Sequence, residues 1–236
     1  MLQIANINMA GHSFSLRYRP DTSDIKVLQQ IFKNGEYELR RLRRYQEIMD
    51  RFKTLESPLI IDGGANIGAS SCYFSQKFSG SRVVAIEPLT ENFEILTENV
   101  QDWPVDCIQG ALSSSRRHFQ MADAGTGFWG YYAKPLEDGG EPENVPGMVS
   151  GITVPDLLSK YERSSPFIIK LDIEGGEDDL FRENTEWIDS FDIIIIELHD
   201  WKLTSSANSQ NFLSAISKHH RDFVFIGENI YSIKNY

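Results

Sequence analysis

The chain has 236 residues, 41% of them hydrophobic, enough to bury one sizeable core with or without an N-terminal extension. A formal net charge of −11 argues against nonspecific nucleic-acid binding, because the phosphate backbone would repel the average surface. No apolar run approaches the length of a membrane span and the N-terminus has no signal-peptide pattern, so a soluble chain is expected.

Residues 2–19 alternate, with Phe14, Leu16 and Tyr18 on one face and Ser15, Arg17 and Arg19 on the other, which predicts an edge hairpin turning near Gly11. Ser23 or Asp24 can cap a helix reaching Lys33. Leu42, Tyr45, Met49 and Phe52 space out a second helix from Glu36 to Phe52. Its other face would carry Arg40, Arg41, Arg43 and Arg44, either as a solvated surface or to meet an anionic partner. From Pro58 onward strands and helices alternate: strand 59–62, helix 67–78, strand 82–87, helix 90–100, strand 105–111, then strands 167–172 and 192–198. Such a series predicts an α/β fold with a mostly parallel central sheet and helices on both faces. Cys72 and Cys107 fall in these core elements without metal-type spacing, which predicts free thiols and a reduced, cytoplasmic setting. Phe223–Ile226 and Ile230–Ile233 read as a closing hairpin around Glu228-Asn229, an antiparallel C-terminal edge. The expected organisation is a hairpin and helical extension over 1–56 and a principal domain over 57–236. That domain carries an insertion at about 113–155, a length usual for binding loops or lids. Within it Phe128, Trp129, Tyr131 and Tyr132 should pack on the core or line a substrate pocket, while the acidic, glycine- and proline-rich 136–147 reads as a lid or a surface insertion.

The strand Leu59-Ile60-Ile61-Asp62 turns through Gly63, Gly64, Ala65, Asn66, Ile67 and Gly68 into a helix, and the neighbouring strand ends Ala85-Ile86-Glu87-Pro88. A P-loop would need Lys after its last glycine, whereas Ala69 and Ser70 follow Gly68. A dinucleotide fingerprint needs its last two glycines three positions apart, and Gly64 and Gly68 are four apart. Asn66 stands where a further turn glycine might be expected and tolerates the left-handed region. Glu87 can accept hydrogen bonds from ribose hydroxyls at the end of its strand. The pattern D-x-G-x-N-x-G, read with Glu87, is similar to the first two motifs of S-adenosylmethionine methyltransferases. A cofactor with a sulfonium and an amino group, and no pyrophosphate, suits these acidic surroundings.

A second constellation, Lys170-Leu171-Asp172-Ile173-Glu174-Gly175-Gly176-Glu177, ends a strand expected at the centre of the sheet. Ligands of doubly wound sheets lie beyond strand carboxyl ends, so Asp172, Glu174 and Glu177 should cluster near the methyl-bearing end of the cofactor. Glu177, Asp178 and Asp179 fall in a helical first turn, where acids are favoured by the dipole; for Asp178 and Asp179 that role is the expectation. The next strand ends Glu197-Leu198-His199-Asp200, and His199 can take a proton from a hydroxyl near neutral pH. Asp172, Glu197 and His199 could also form a divalent-metal set, although no spacing signature assigns a metal.

These blocks, together with Gly110-Ala111-Leu112, Thr153-Val154-Pro155-Asp156-Leu157 and Gly35-Glu36-Tyr37, resemble the FkbM family of S-adenosylmethionine-dependent methyltransferases over about residues 24–200. Pro155 departs from the pattern, which often has Leu there. The resemblance implies a Rossmann-like class I methyltransferase fold and methyl transfer to a hydroxyl of a sugar, glycan or secondary metabolite, with S-adenosyl-L-homocysteine as product. It implies Asp62, Gly64 and Asn66 beside the amino-acid end of the cofactor, with Gly63 and Gly68 in the same turn. Glu87 and Pro88 are then at the ribose, Gly110, Ala111 and Leu112 near adenine, and Asp172 at the methyl end. In-line displacement, with His199 or Asp172 removing the proton and Glu174 beside them, is the expected chemistry. An S-adenosylmethionine-binding regulator or scaffold without turnover is the alternative. The expected partner is a small-molecule or glycan hydroxyl acceptor, with no nucleic acid and no membrane span; a homodimer is left open.

Overall fold

A strand of unbroken apolar residues can be covered on both faces, and the four central segments of this chain behave that way. The computed structural model describes residues 1–123, 131–135 and 147–235. In chain order its strands are β1 (Gln3–Met9), β2 (His12–Tyr18), β3 (Pro58–Gly63), β4 (Arg82–Glu87), β5 (Val105–Gln109), β6 (Ala111–Leu112), β7 (His118–Asp123), β8 (Tyr131–Pro135), β9 (Met148–Ile152), β10 (Ser165–Leu171), β11 (Ile193–Glu197), β12 (Arg221–Ile226) and β13 (Asn229–Lys234). The α-helices are α1 (Asp24–Leu28), α2 (Tyr45–Thr54), α3 (Ala69–Lys77), α4 (Thr90–Val100), α5 (Val154–Lys160), α6 (Glu177–Leu180) and α7 (Gln210–Ile216).

Seven strands form the central sheet in the order β12-β13-β11-β10-β3-β4-β5. β3, β4, β5, β10 and β11 run parallel, and β13 returns antiparallel beside β11 with β12 antiparallel to it. Side chains alternate between two cores, as period two requires. Ile60, Val83, Ala85, Ile168, Ile193 and Ile195 enter one core. Leu59, Ile61, Val84, Ile86, Ile169, Ile194 and Ile196 enter the other. The fold is the Rossmann-like α/β architecture with an antiparallel C-terminal edge. No helix among the described residues is long and apolar enough to cross a membrane.

Several local expectations are corrected. The hairpin of β1 and β2 forms, but as a separate two-stranded sheet rather than an edge of the central one. Ser23 precedes α1 without a capping bond from its side chain, and the helix continues into a π-helical turn, Gln29–Lys33. The helix expected from Glu36 to Phe52 is broken into a 3-10 turn, Leu39–Arg41, and α2. The cause is long-range: the Tyr231 hydroxyl donates to the Glu36 carbonyl at 2.7 Å, and the Glu38 carboxylate accepts the Arg40 N–H. Arg40, Arg41, Arg43 and Arg44 therefore share no helical face. Arg44 instead bonds Glu47, Asp222, Asn235 and the Lys234 carbonyl. The strand expected over 105–111 divides at Gly110, where a Cβ would lie 2.5 Å from Ile152 Cδ1. Beyond it the chain joins a second sheet, β6-β9-β7-β8, built from the insertion. Tyr131 and Tyr132 lie on β8. Phe128, Trp129 and residues 136–146 lie outside the described residues.

The strand order reverses between β3 and β10, the position where α/β sheets open a ligand crevice. Lys170, 2% exposed, closes this junction from below. Its ammonium donates to the carbonyls of Gly63 (3.2 Å) and Gly64 (2.8 Å) and lies 3.4 Å from Asp62 Oδ1 and 3.6 Å from Asp172 Oδ2. Burial alone would lower its pKa, but the charges of Asp62 and Asp172 outweigh that and raise it. Lys170→Met leaves the fully buried Asp62 carboxylate without its cation. The unfolding free energy in urea should fall by about 3–5 kcal/mol, and Asp62→Asn added to it should restore part of the loss. At Gly64 the backbone is left-handed and a Cβ would lie 1.8 Å from the Asp172 carbonyl oxygen. Gly64→Ala should cost at least about 2 kcal/mol in the same assay.

Candidate functional site

The turn after β3 is held from two sides. The N–H groups of Gly64 and Ala65 both donate to the Ile86 carbonyl at 3.0 Å, and the Asn66 N–H donates to Glu87 Oε2 at 2.9 Å. Asn66 adopts φ 49°, the left-handed conformation its residue type tolerates. Gly68, at φ 86°, lets the turn close on Leu96 and Val100 as α3 begins.

Above this turn opens a cavity of about 470 Å³. Gly64, Ala65, Asn66, Glu87, Pro88, Gly110, Ala111, Leu112, Asp172, Glu174 and His199 all line it. Three expected site residues do not. Asp62 is fully buried beneath the turn, with Oδ2 accepting from the hydroxyls of Ser70 and Ser71 at 2.6 Å each, so it shapes the turn rather than facing the cavity. Gly63 and Gly68 are packed against Leu112 and Leu96 respectively.

At one end, Glu87 is 5% exposed and accepts from the N–H groups of Asn66 and Leu89 and from Asn92 Nδ2. Burial pushes its pKa up to about 7, and those three donors oppose a further rise. They use three of roughly four acceptor positions on a carboxylate, leaving capacity for a further hydroxyl. Asn66 also lines the cavity, and its Oδ1 is buried without a hydrogen-bond partner among the described residues.

At the other end four acidic side chains surround one imidazole. His199 is 1% exposed; its Nδ1 meets Glu177 Oε1 at 2.9 Å, and Glu177 Oε2 accepts from Asn208 Nδ2 at 2.8 Å. Glu177, fully buried, is thus more than a first-turn acid: it orients His199. The His199 Nε2 lies 3.6 Å from Asp172 Oδ1, 3.5 Å from Glu174 Oε2 and 3.6 Å from Glu197 Oε1. Burial alone would lower the His199 pKa, but the hydrogen bond and charge of Glu177, then Asp172 and Glu174, carry it up to about 9. Burial and the Asp172 charge push Glu197 up to about 8 and raise Glu174 as well. Asp178 and Asp179 lie outside this group, bonded to Arg182 and to the Ser114 N–H.

The walls that motif reading missed come from distant segments. Glu36 and Tyr37 arrive from the N-terminal region, Glu228 from the turn before β13 and Asn229 from its first position, and Trp201 and Lys202 from just beyond His199. Glu36-Tyr37 stood out only as part of a family likeness, and Trp201 had only its closeness to His199 as a signal.

The family model described as "Methyltransferase FkbM domain" matches residues 62–225. The hexuronic acid methyltransferase AglP of Haloferax volcanii is 27% identical over 198 residues, covering 80% of this chain and 79% of that protein. Among solved structures, a Staphylococcus aureus protein described as a caffeoyl-CoA O-methyltransferase overlaps 90% of this chain and 93% of its own at 13% identity and TM-score 0.48. Aeropyrum pernix fibrillarin with bound S-adenosyl-L-methionine overlaps 75% and 67% at 12% identity and TM-score 0.40. With the motifs of β3, β4 and β10 inside or bordering the matched span, the chain belongs to the FkbM methyltransferase domain family and is an S-adenosylmethionine-dependent methyltransferase.

Proposed function

We propose that this chain methylates a hydroxyl of a sugar or glycan, with the donor held between Glu87 and Asp172. The observation that carries the reading is the pairing of two unlike carboxylate sites in one cavity. Glu87 has capacity for a ribose hydroxyl, and the Asp172 and His199 cluster stands at the opposite end. The unpartnered Asn66 Oδ1 offers an acceptor to the donor's ammonium group. Gly110, Ala111 and Leu112 leave an apolar, close-packed wall for an adenine ring. When bound, S-adenosylmethionine supplies an electrophilic methyl carbon activated by the sulfonium charge.

In this reading Asp172, 30% exposed at the cavity edge, receives the proton of the acceptor hydroxyl. His199 sits 3.6 Å away, its ring held in place by Glu177. Much of the acceleration is positional, since both reactants are held beside one another in a single crevice. The methyltransferase relative named for hexuronic acid supports a sugar acceptor. The wall here carries Glu36, Glu87, Asp172, Glu174, Glu197 and Glu228 against Lys170 and Lys202, so an acceptor uncharged near the reacting hydroxyl fits best.

Transfer of labelled methyl to a panel of neutral and uronic glycosides tests the reading. Label appearing on a hydroxyl is expected, and label found solely on nitrogen or sulfur acceptors overturns it. Asp172→Asn should lower kcat at least about 100-fold while calorimetric binding of S-adenosylhomocysteine stays within about threefold; unchanged kcat refutes the base assignment. Glu87→Gln puts an amide N–H against donors that now meet a carboxylate, and should weaken that binding about 10- to 100-fold.

The Glu87 pKa gives this variant a second signature. Its carboxyl is raised from 4.5 to about 7 in the folded, ligand-free protein. Below pH 4.5 both states are protonated and nothing is lost. As pH rises through 4.5 to 7 the unfolded chain ionises first, and the folded state loses up to about 3 kcal/mol relative to it. Urea unfolding at pH 5 and pH 8 should therefore show the Glu87→Gln protein gaining on the parent at the higher pH.

A further inference from the structure

The side chains at the ends of β10 and β11 surround a common point. One ligand atom each from Asp172, Glu174 and His199 falls within 4.8 Å of the others, and the Glu197 carboxylate lies 3.6 Å from the same imidazole nitrogen. With Nε2 at 3.5 and 3.6 Å from its two carboxylate neighbours, a position about 2.0–2.4 Å from all three atoms exists, overlapping the bond lengths of first-row divalent cations to imidazole nitrogen and carboxylate oxygen.

Acidic clusters are common on protein surfaces, so a separate observation has to point to a ligand. It comes from the imidazole. The His199 side chain is buried, its Nδ1 is engaged by Glu177, and its Nε2 is turned into the cluster, 3.5–3.6 Å from three carboxylate oxygens and without a hydrogen bond among the described residues. The Glu177 carboxylate holds the ring through Nδ1, so Nε2 is the nitrogen that faces Asp172, Glu174 and Glu197. A buried carboxylate behind a histidine in this way fixes the ring orientation of metal-binding imidazoles. Charge points the same way. Among the described residues, the ammonium groups paired with this crowd of acids are Lys170, shared by Asp62 and Asp172, and Lys202, which spends a 2.8 Å hydrogen bond on Glu174 Oε2.

We propose that Asp172, Glu174 and His199 bind a divalent cation of the Mn²⁺ type, with Glu197 closing the set and the cavity side open to an acceptor hydroxyl. One imidazole among carboxylates suits Mn²⁺ and its first-row neighbours better than Mg²⁺ or Ca²⁺. The open position would orient the hydroxyl and lower its pKa. That role rests on the methyl-transfer reading, but the binding itself does not.

The full-length protein, stripped with a chelator and titrated with Mn²⁺ alone, tests it by loss of the free-ion electron paramagnetic resonance signal. One equivalent per chain, half-saturated below about 100 μM, is expected. Glu174 is a quarter exposed and its substitution leaves the core intact, so Glu174→Gln should weaken binding at least tenfold while its circular dichroism matches the parent. Glu228→Gln, an acid in the same cavity wall but outside the set, should bind as the parent does. No saturable binding up to 1 mM Mn²⁺ overturns the proposal, on the scale of roughly millimolar nonspecific affinities. Binding that Glu174→Gln leaves unchanged, or that Glu228→Gln weakens equally, overturns it too. Because no acceptor or methyl donor is present, metal binding without methyl transfer would sink the functional reading alone, and transfer without metal binding would sink this proposal alone.

Discussion

The buried ammonium of Lys170 is the contact on which the rest of the site depends. β3 is covered on both faces, so the carboxylate that ends it, Asp62, has no access to water. An isolated carboxylate there would be expelled or protonated. Lys170 from the adjacent β10, with the hydroxyls of Ser70 and Ser71 at the start of α3, satisfies it in place. The same ammonium binds the carbonyls of Gly63 and Gly64 and reaches Asp172. One charge therefore joins the strand end, the glycine turn, the first turn of a helix and the acidic loop after β10. The two halves of the cavity floor are fixed relative to one another at the place where strand order reverses.

That arrangement separates two kinds of acid which look alike as letters. Asp62 and Glu177 are fully buried and held by charge or hydrogen bonds, and their work is to aim other groups: the turn in one case, His199 in the other. Asp172, Glu174 and Glu197 are partly exposed and crowd one another, which is why burial and mutual repulsion raise the pKa of Glu174 and Glu197. Carboxylates in such crowding need positive charge nearby. Under the proposed placement of the donor, its sulfonium would meet part of that need.

Much of the fold was legible because the central strands are apolar on both faces and end in turn chemistry that few residues can supply. Strand positions at β3, β4, β10 and β11, and the left-handed Asn66, follow from local rules. The failures share a cause. The expected helix over Glu36–Phe52 has a good apolar spacing, yet it breaks where the Tyr231 hydroxyl takes the Glu36 carbonyl, a contact 195 residues away in sequence. Asp62 reads as a ligand because strand-end acids usually face the crevice, and nothing local reveals that Lys170 and two serines claim it. The Arg40–Arg44 run reads as a surface feature, whereas Arg44 is tied to the C-terminal strands. Short-range periodicity cannot see hydrogen bonds that the tertiary fold creates.

The walls of the cavity come partly from inside the matched span and partly from outside it. Asn66, Glu87, Asp172 and His199 all lie within the matched residues 62–225, whereas Glu36 and Tyr37 precede that span and Glu228 and Asn229 follow it. These outer segments are not loosely appended. Asn229 Nδ2 donates to Glu36 Oε1 at 2.6 Å, and Leu16, Leu28, Ile31 and Tyr37 share one apolar core with Ile60 and Phe167. The N-terminal region is therefore held by the same packing that builds the sheet, and it closes the cavity as a fixed wall. The bond from Asn229 to Glu36 is the seam at which the two ends of this chain meet to make it.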